Sequence, residues 1–376
     1  MKSSTLHWRD GAWVAPDDLV PSPQLILVFG AGDVLRHAAA RAELRSRFPG
    51  AEIAGCSTAG EIAGRVVSDG GAVALAVEFG STRVRGVSQR ISQVQDSERV
   101  GEELAASLRA DDLAHVLILS DGLQVNGAAL ARGLRAGLPA AVSATGGLAG
   151  DGPRFAETTV LYGDEASTGL VVAIGLYGSN LEVRWGSAGG WEAFGPKRLV
   201  TRAEDNVLFE LDGQPALALY KTYLGDRADG LPATGLLFPL ELLPETDAEP
   251  SVVRTILAMD EAAQSLTFAG DVPEGRQVRL MKSTIDKLIW GAEQAAEVVE
   301  PTCPVEVALL VSCVGRRLLL DQRVEEEIEA VMTELGNPRG AVGFYSYGEI
   351  GPAGLAHGCN LHNQTMTLTT LAERSI

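Results

Sequence analysis

Four glycine-rich turns carry short polar side chains at the ends of apolar runs: Gly55–Glu61, Ser120–Asn126, Gly146–Gly152 and Tyr345–Gly351. In an open α/β sheet such turns bring backbone N–H groups and small polar side chains to the strand ends, the chemistry that holds a small polar ligand. The candidate contacts are Ser57, Thr58 and Glu61 in the first turn and Ser120, Asp121 and Asn126 in the second. Gly147 and Asp151 follow in the third, Tyr347 and Glu349 in the fourth. The third turn packs four glycines into seven residues, a composition suited to an anion-binding nest or to a crossover needing positive φ. Glu61 and Glu349 each stand between Gly and Ile, placed either to hold a ligand amine or to brace the N–H groups of a neighbouring loop.

The densest polar cluster is His357-Gly-Cys-Asn-Leu-His362-Asn363-Gln364, ahead of a Thr-rich terminal segment. His362 and Asn363 join the ligand-binding candidates, and His362 and His357 are the candidate haem ligands, imidazole being the usual one. The competing reading is a histidine hydrogen-bonded to loop carbonyls. No metal site is expected, because two His five residues apart do not specify one. Enzyme templates fail. Gly55-Cys-Ser57-Thr-Ala-Gly60 misses the nucleophile elbow by one residue, and Leu35 stands where a dinucleotide fingerprint after Gly30-Ala-Gly32 needs glycine. Five His in 376 residues leave few general acids or bases.

These residues must be positioned by alternating strands and helices. Short apolar runs at Gln24–Phe29, Ile53–Cys56, Val116–Leu119 and Ala141–Thr145 read as strands, with helices at Val34–Phe48, Ser97–Arg109 and Gly127–Ala136 between them. Ala72–Phe79 and Arg83–Arg90 read as a strand pair. From Arg154 the pattern turns to strands at Thr158–Tyr162, Gly169–Gly178 and Leu181–Gly186. Glu204–Leu211 and Pro215–Leu224 read as helices, Gly225 capping the second. Leu240–Pro250, with two prolines and four acids, reads as a flexible connection. Strands near Val252–Met259, Gln277–Met281, Val305–Val311, Ala341–Tyr347 and Thr365–Thr370 then enclose helices at Thr284–Val299 and Val324–Leu335. The fold class is therefore α/β, two domains each with a mixed sheet flanked by helices. Two echoes, Gly55–Ile62 with Gly343–Ile350 and Val116–Gly122 with Ala308–Gly315, suggest a distant duplication that would superpose Glu61 on Glu349.

The bulk composition excludes several classes of partner. A net charge of −18 repels nucleic acid and anionic lipid, so neither is expected as a partner. Apolar residues at 46% and charged residues at 21% describe a folded chain with real cores. The first eighteen residues lack the apolar stretch of a signal peptide, and no run is long enough for a membrane helix. Four cysteines without a paired spacing give no disulfide framework. The expected location is the cytoplasm.

In the order they occur, several segments resemble the FIST family of paired sensory domains. They are Gly55–Ile62, Ser120-Asp-Gly122, Gly146–Gly152, Trp191–Pro196 and Glu210–Ala216, then Ser312–Arg317, Gly343–Pro352 and Leu361–Thr365. The resemblance spans roughly Pro23 to Leu371 and divides the chain into an extension at 1–22, a FIST N-type domain at 23–211 and a FIST C-type domain at 212–376. It implies small-molecule sensing rather than catalysis, with an amino acid or similar metabolite as ligand and no cofactor. The signal would pass to a separate histidine kinase, chemoreceptor or cyclic-di-GMP enzyme. The alternatives are a haem-based nitric oxide sensor, after similar proteins that bind haem, and an enzyme of unrecognised chemistry.

Overall fold

A computed structural model describes residues 1–231, 233–244, 251–353 and 357–374. The expected flexible connection at Leu240–Pro250 lies in part, at 245–250, outside the described residues, and its first part, Leu240–Leu242, is a strand. The fold is α/β, with mixed sheets flanked by helices.

Among the described residues one unit recurs three times. Its first strand is Leu25–Gly30, Leu113–Ser120 or Val307–Cys313. These strands are buried along almost their whole length, which is why they read as unbroken apolar runs. Helical segments lead from each to a parallel neighbour, respectively Glu52–Ser57, Ser143–Leu148 and Gly340–Ser346. A short antiparallel hairpin follows. A last strand, Ala72–Glu78, Leu170–Tyr177 or Met366–Glu373, then returns antiparallel to the far side of the first. The register repeats as well: Val28 faces Gly55, Ile118 faces Gly146 and Leu310 faces Gly343.

The hairpins are exchanged in a cycle. That of the first unit, Glu61–Ala63 with Val66–Ser68, adds to strand Gly340–Ser346 of the third. That of the third, Gly348–Gly351 with Asn360–His362, adds to Ser143–Leu148 of the second. That of the second, Val160–Tyr162 with Glu165–Ser167, adds to Glu52–Ser57 of the first. Three backbone hydrogen bonds close the ring where the chain leaves each sheet. Ala59 N–H donates to the Tyr345 carbonyl at 2.8 Å, Tyr347 N–H to Leu148 at 3.1 Å, and Gly150 N–H to Ser57 at 2.9 Å. Both sequence echoes are halves of this repeat, and Glu61 and Glu349 take the same place in it, each on the first strand of an exchanged hairpin.

A separate antiparallel sheet is inserted into the third unit. Its strands run in the order Val252–Arg254, Leu240–Leu242, Gln277–Lys282, Glu192–Glu204, Val207–Leu211, Ser265–Phe268 and Ile256–Asp260. It packs its own core around Leu208, Leu217, Tyr220 and Phe268.

Three local expectations are corrected. Glu204–Leu211 is not helical: Asp205, at φ 50°, and Asn206 form a two-residue hairpin turn into strand Val207–Leu211. A two-residue Asp-Asn loop with positive φ at Asp205 makes a hairpin turn, which outweighs the helix-forming residues beside it. Ala72–Glu78 and Arg83–Arg90 lie in different sheets rather than pairing, because each pairs with a strand of its own unit. The helix expected at Val34–Phe48 is two, Gly32–Arg36 and Ala38–Arg47, broken at His37, whose backbone is extended.

Candidate functional site

The carboxyl ends of the parallel strands of all three units converge around the hydrogen-bonded ring, and a cleft of about 610 Å³ opens there between the first and second units. Thr58, Glu61 and Asp151 line it, together with five charged side chains not singled out from the sequence: Asp33, Arg36, Asp69, Arg154 and Glu157. A neighbouring cleft shares Asp69 and Gly152 and reaches Arg317 of the third unit.

Glu61 is the least solvated acid of the cleft, at 2% exposure. Thr58 Oγ1 donates to its Oε1 at 3.0 Å and Ser68 Oγ to its Oε2 at 3.4 Å. Burial outweighs these donors and, with Asp69 nearby, pushes the carboxyl up to about 7. Glu349 is its counterpart. Ser346 Oγ donates to it at 2.7 Å, and Thr365 donates through both N–H, at 3.1 Å, and hydroxyl, at 2.9 Å. Complete burial takes this carboxyl to about 7 as well. Asp69 goes the other way, held low by its ion pair with Arg317, which also donates to the Ala59 carbonyl on the ring.

A pH dependence follows from the two glutamates. Each is raised on folding, so between about pH 4.5 and 7 the folded chain holds protons that the unfolded chain releases, and stability falls as pH rises. The expected loss is on the order of 2–3 kcal/mol per carboxyl across that window. Denaturant unfolding at pH 5 and pH 7.5 measures it, and Glu61→Gln with Glu349→Gln should flatten the slope. An unchanged slope in the double variant would assign the dependence to other groups.

The remaining candidates are placed as follows. Asp151 organises its own loop, accepting from the Ala156 and Glu157 N–H groups at 3.0 Å and from the Tyr347 hydroxyl. Tyr347 stacks on Phe155 at 4.3 Å between ring centroids. Ser57 Oγ accepts from Thr159 N–H at 2.9 Å, inside the fold. Asp121 accepts from the N–H groups of Leu123, Gln124 and Gly169, and Ser120 is fully buried beside it. Asn126 caps helix Gly127–Gly137 and donates to Asp271 of the inserted sheet. Gly147 lies within strand Ser143–Leu148, packed against Val311 and Phe344. The anion nest is not formed as a free concavity, because Ala149 and Gly150 spend their N–H groups on the Ser120 and Ser57 carbonyls.

His362 is partly buried, with Nε2 3.0 Å from the Gly351 carbonyl oxygen. His357 is exposed and packs edge-on to Trp185 in another cleft, which also reaches Ser143 and Arg374. The two imidazoles therefore serve different places. Asn363 is buried and lies outside the open cleft. No cluster of three His, Cys, Asp or Glu among the described residues is arranged to hold a metal ion. No helix among them is long and apolar enough to cross a membrane.

Of the residues that sequence reading missed, Arg36 comes from the end of a short helix, Asp69 from the turn after an exchanged hairpin, and Arg154 and Glu157 from the loop past Gly152. The Asp69-Gly-Gly71 turn and the arginine two residues beyond Gly152 were the available signals. Comparison with known proteins gives two matches: residues 24–214 match the FIST N domain and residues 216–352 match the FIST C domain. No curated protein matches the chain.

Proposed function

The chain belongs to the FIST family of sensory domains, and we propose that it senses a small zwitterionic metabolite, of the amino-acid class, in the cleft around Glu61. The observation that carries this reading is the lining of both signs on one cleft, Arg36 and Arg154 together with Glu61, Asp69 and Asp151. A ligand carboxylate pairs with the guanidinium groups and its ammonium with the acids, charge-assisted bonds that strengthen as water leaves. Glu61 also provides the output. It sits on a hairpin hydrogen-bonded to the third unit, so a ligand that draws a proton off this carboxyl acts directly on strand Gly340–Ser346. A separate partner, of the histidine kinase, chemoreceptor or cyclic-di-GMP enzyme class, reads the change. The haem alternative has weaker support, since the His362 nitrogen faces a backbone carbonyl.

A thermal-shift and calorimetric screen of free amino acids tests the reading. A ligand at about 100 times its dissociation constant adds about 2.7 kcal/mol of stability. Glu61→Gln should weaken that ligand 10- to 100-fold, about 1.4–2.8 kcal/mol, and leave the melting temperature at pH 7.5 unchanged or higher. A clear loss of melting temperature with affinity intact would make Glu61 a structural brace and end the proposal. The protein as purified should show no Soret band; one haem per chain, lost in His362→Ala, would replace the metabolite by a gas.

A further inference from the structure

A cleft of about 560 Å³ opens where the inserted sheet meets helix Val314–Leu320 of the third unit. Three segments of the insertion reach it. The short helix Gly225–Gly230 brings Arg227, the next one, Ala233–Leu237, brings Thr234 and Leu237, and strand Gln277–Lys282 ends there in Lys282. Phe238 and, from the third unit, Leu319 add apolar wall. This cleft shares no lining residue with the one around Glu61.

Its charge has one sign. Arg227 and Lys282 are the charged residues of the lining, and no acid belongs to it. The acids closest to the two cations are engaged or point elsewhere in the fold's bookkeeping of pairs. Glu192 stands opposite Lys282 in the strand pair but is held by Lys287. Asp226 and Asp229 flank Arg227 in the chain, and neither lines the cleft. Among the described residues neither cation has a carboxylate partner. Each lies instead over an aromatic ring, the Arg227 guanidinium 5.2 Å from the centroid of Phe238 and the Lys282 ammonium 5.1 Å from that of Phe194. A ring face attracts a cation without accepting from all of its N–H groups, so both remain able to take an anion. The overall acidity of the chain does not prevent this, because the field inside a cleft is set by the groups that line it.

We propose that this cleft is a second ligand site and that it takes a small organic anion, a carboxylate carried on an apolar body. Arg227 and Lys282 draw the carboxylate, the Thr234 hydroxyl offers a further donor, and the body covers Leu237, Phe238 and Leu319. A zwitterion fits poorly, because its ammonium meets two cations and no acid. Inorganic phosphate satisfies the cations but leaves the apolar wall in water. The lining of both signs around Glu61 selects a different class, and the present site does not rest on that reading.

Calorimetry and saturation-transfer NMR on the full chain test this with phenylacetate and hexanoate, against phenethylamine, hexylamine and inorganic phosphate. The two carboxylates should bind, the amines should not, and phosphate should bind at least about 10-fold more weakly than phenylacetate. Arg227→Gln and Lys282→Gln should each weaken phenylacetate about 10-fold, and the double variant about 100-fold. Both side chains are exposed, so the ligand-free variants should keep the wild-type melting temperature. Lys197→Gln removes an exposed cation outside the cleft and should leave phenylacetate affinity unchanged. No binding of either carboxylate, amines binding as tightly as the acids, or phosphate matching phenylacetate would overturn the proposal. So would an unchanged phenylacetate affinity in the double variant, which would place the carboxylate at another arginine.

Discussion

Gly343→Ala should abolish folding of the chain, and Gly146→Ala and Gly55→Ala should do the same. The three glycines hold the same position in the three units, each opposite a residue of the first strand. A Cβ on Gly343 would stand 1.9 Å from the Leu310 carbonyl oxygen, on Gly146 1.9 Å from that of Ile118, and on Gly55 2.1 Å from that of Val28. No rotamer relieves this clash, because both partners are backbone in a buried parallel pair. Only separating the strands would, and that breaks the sheet at the point where the exchanged hairpin attaches. The expected cost exceeds about 4 kcal/mol per site, the range reserved for gross steric or electrostatic faults. Gly213→Ala is the control, at φ 73° with nothing within 4 Å of its Cβ. It should cost only about 1–2 kcal/mol of left-handed strain. Soluble yield and denaturant midpoints compare the four. A Gly343→Ala protein as stable as Gly213→Ala would mean that the strand pair yields more easily than its register implies.

These glycines also show how far the sequence could be read. The first strand of each unit was legible because burial on both faces leaves an uninterrupted apolar run, as in Leu25–Gly30 and Val307–Cys313. The amphipathic helices Ser97–Leu108 and Val324–Glu334 were legible through their apolar stripes. The exchanged hairpins were not. Glu61–Ala63 is three residues long and pairs with Val342–Phe344, some 280 residues away, so no local pattern marks it. The two echoes touch all three units, pairing the first with the third and the second with the third, but they read as a twofold duplication because the second unit replaces Gly-Glu-Ile by the longer loop from Gly150 to Thr159. The site divides the same way. Thr58, Glu61 and Asp151 stood out as polar residues in glycine-rich turns. Arg36, Asp69, Arg154 and Glu157 reach the cleft only because the topology brings four separate segments together. Asp121 and Asn126 have the same local signature as Glu61, and their side chains are taken up by neighbouring backbone N–H groups. Sequence alone cannot separate a carboxylate that caps a turn from one that faces a cleft.

Glu327→Ala should cost about 3–5 kcal/mol, the penalty for leaving a buried guanidinium without its carboxylate. Arg316 and Glu327 are both fully buried and joined at 2.8 Å. The network around them is complete: Ser312 and Tyr345 hydroxyls donate to Glu327 Oε1 at 3.0 and 2.6 Å, and Arg316 donates onward to the Gly189 and Leu288 carbonyls. Those two carbonyls lie where the chain enters and leaves the inserted sheet, so the ion pair ties the root of that sheet to the strand carrying Tyr345 of the ring. Loss of the carboxylate should therefore loosen the inserted sheet as well as lower the midpoint, and amide exchange in Glu192–Glu204 should quicken more than in Leu113–Ser120. Replacing both partners, as Arg316→Met with Glu327→Leu, should recover part of the stability, because no buried charge remains. It should not recover all of it, since the Gly189 carbonyl and the Ser312 and Tyr345 hydroxyls lose their partners. A double variant as unstable as Glu327→Ala would show that the carbonyl contacts, rather than the uncompensated charge, hold the insertion in place. A Glu327→Ala protein within about 1 kcal/mol of wild type would mean that water reaches Arg316 once the carboxylate is gone.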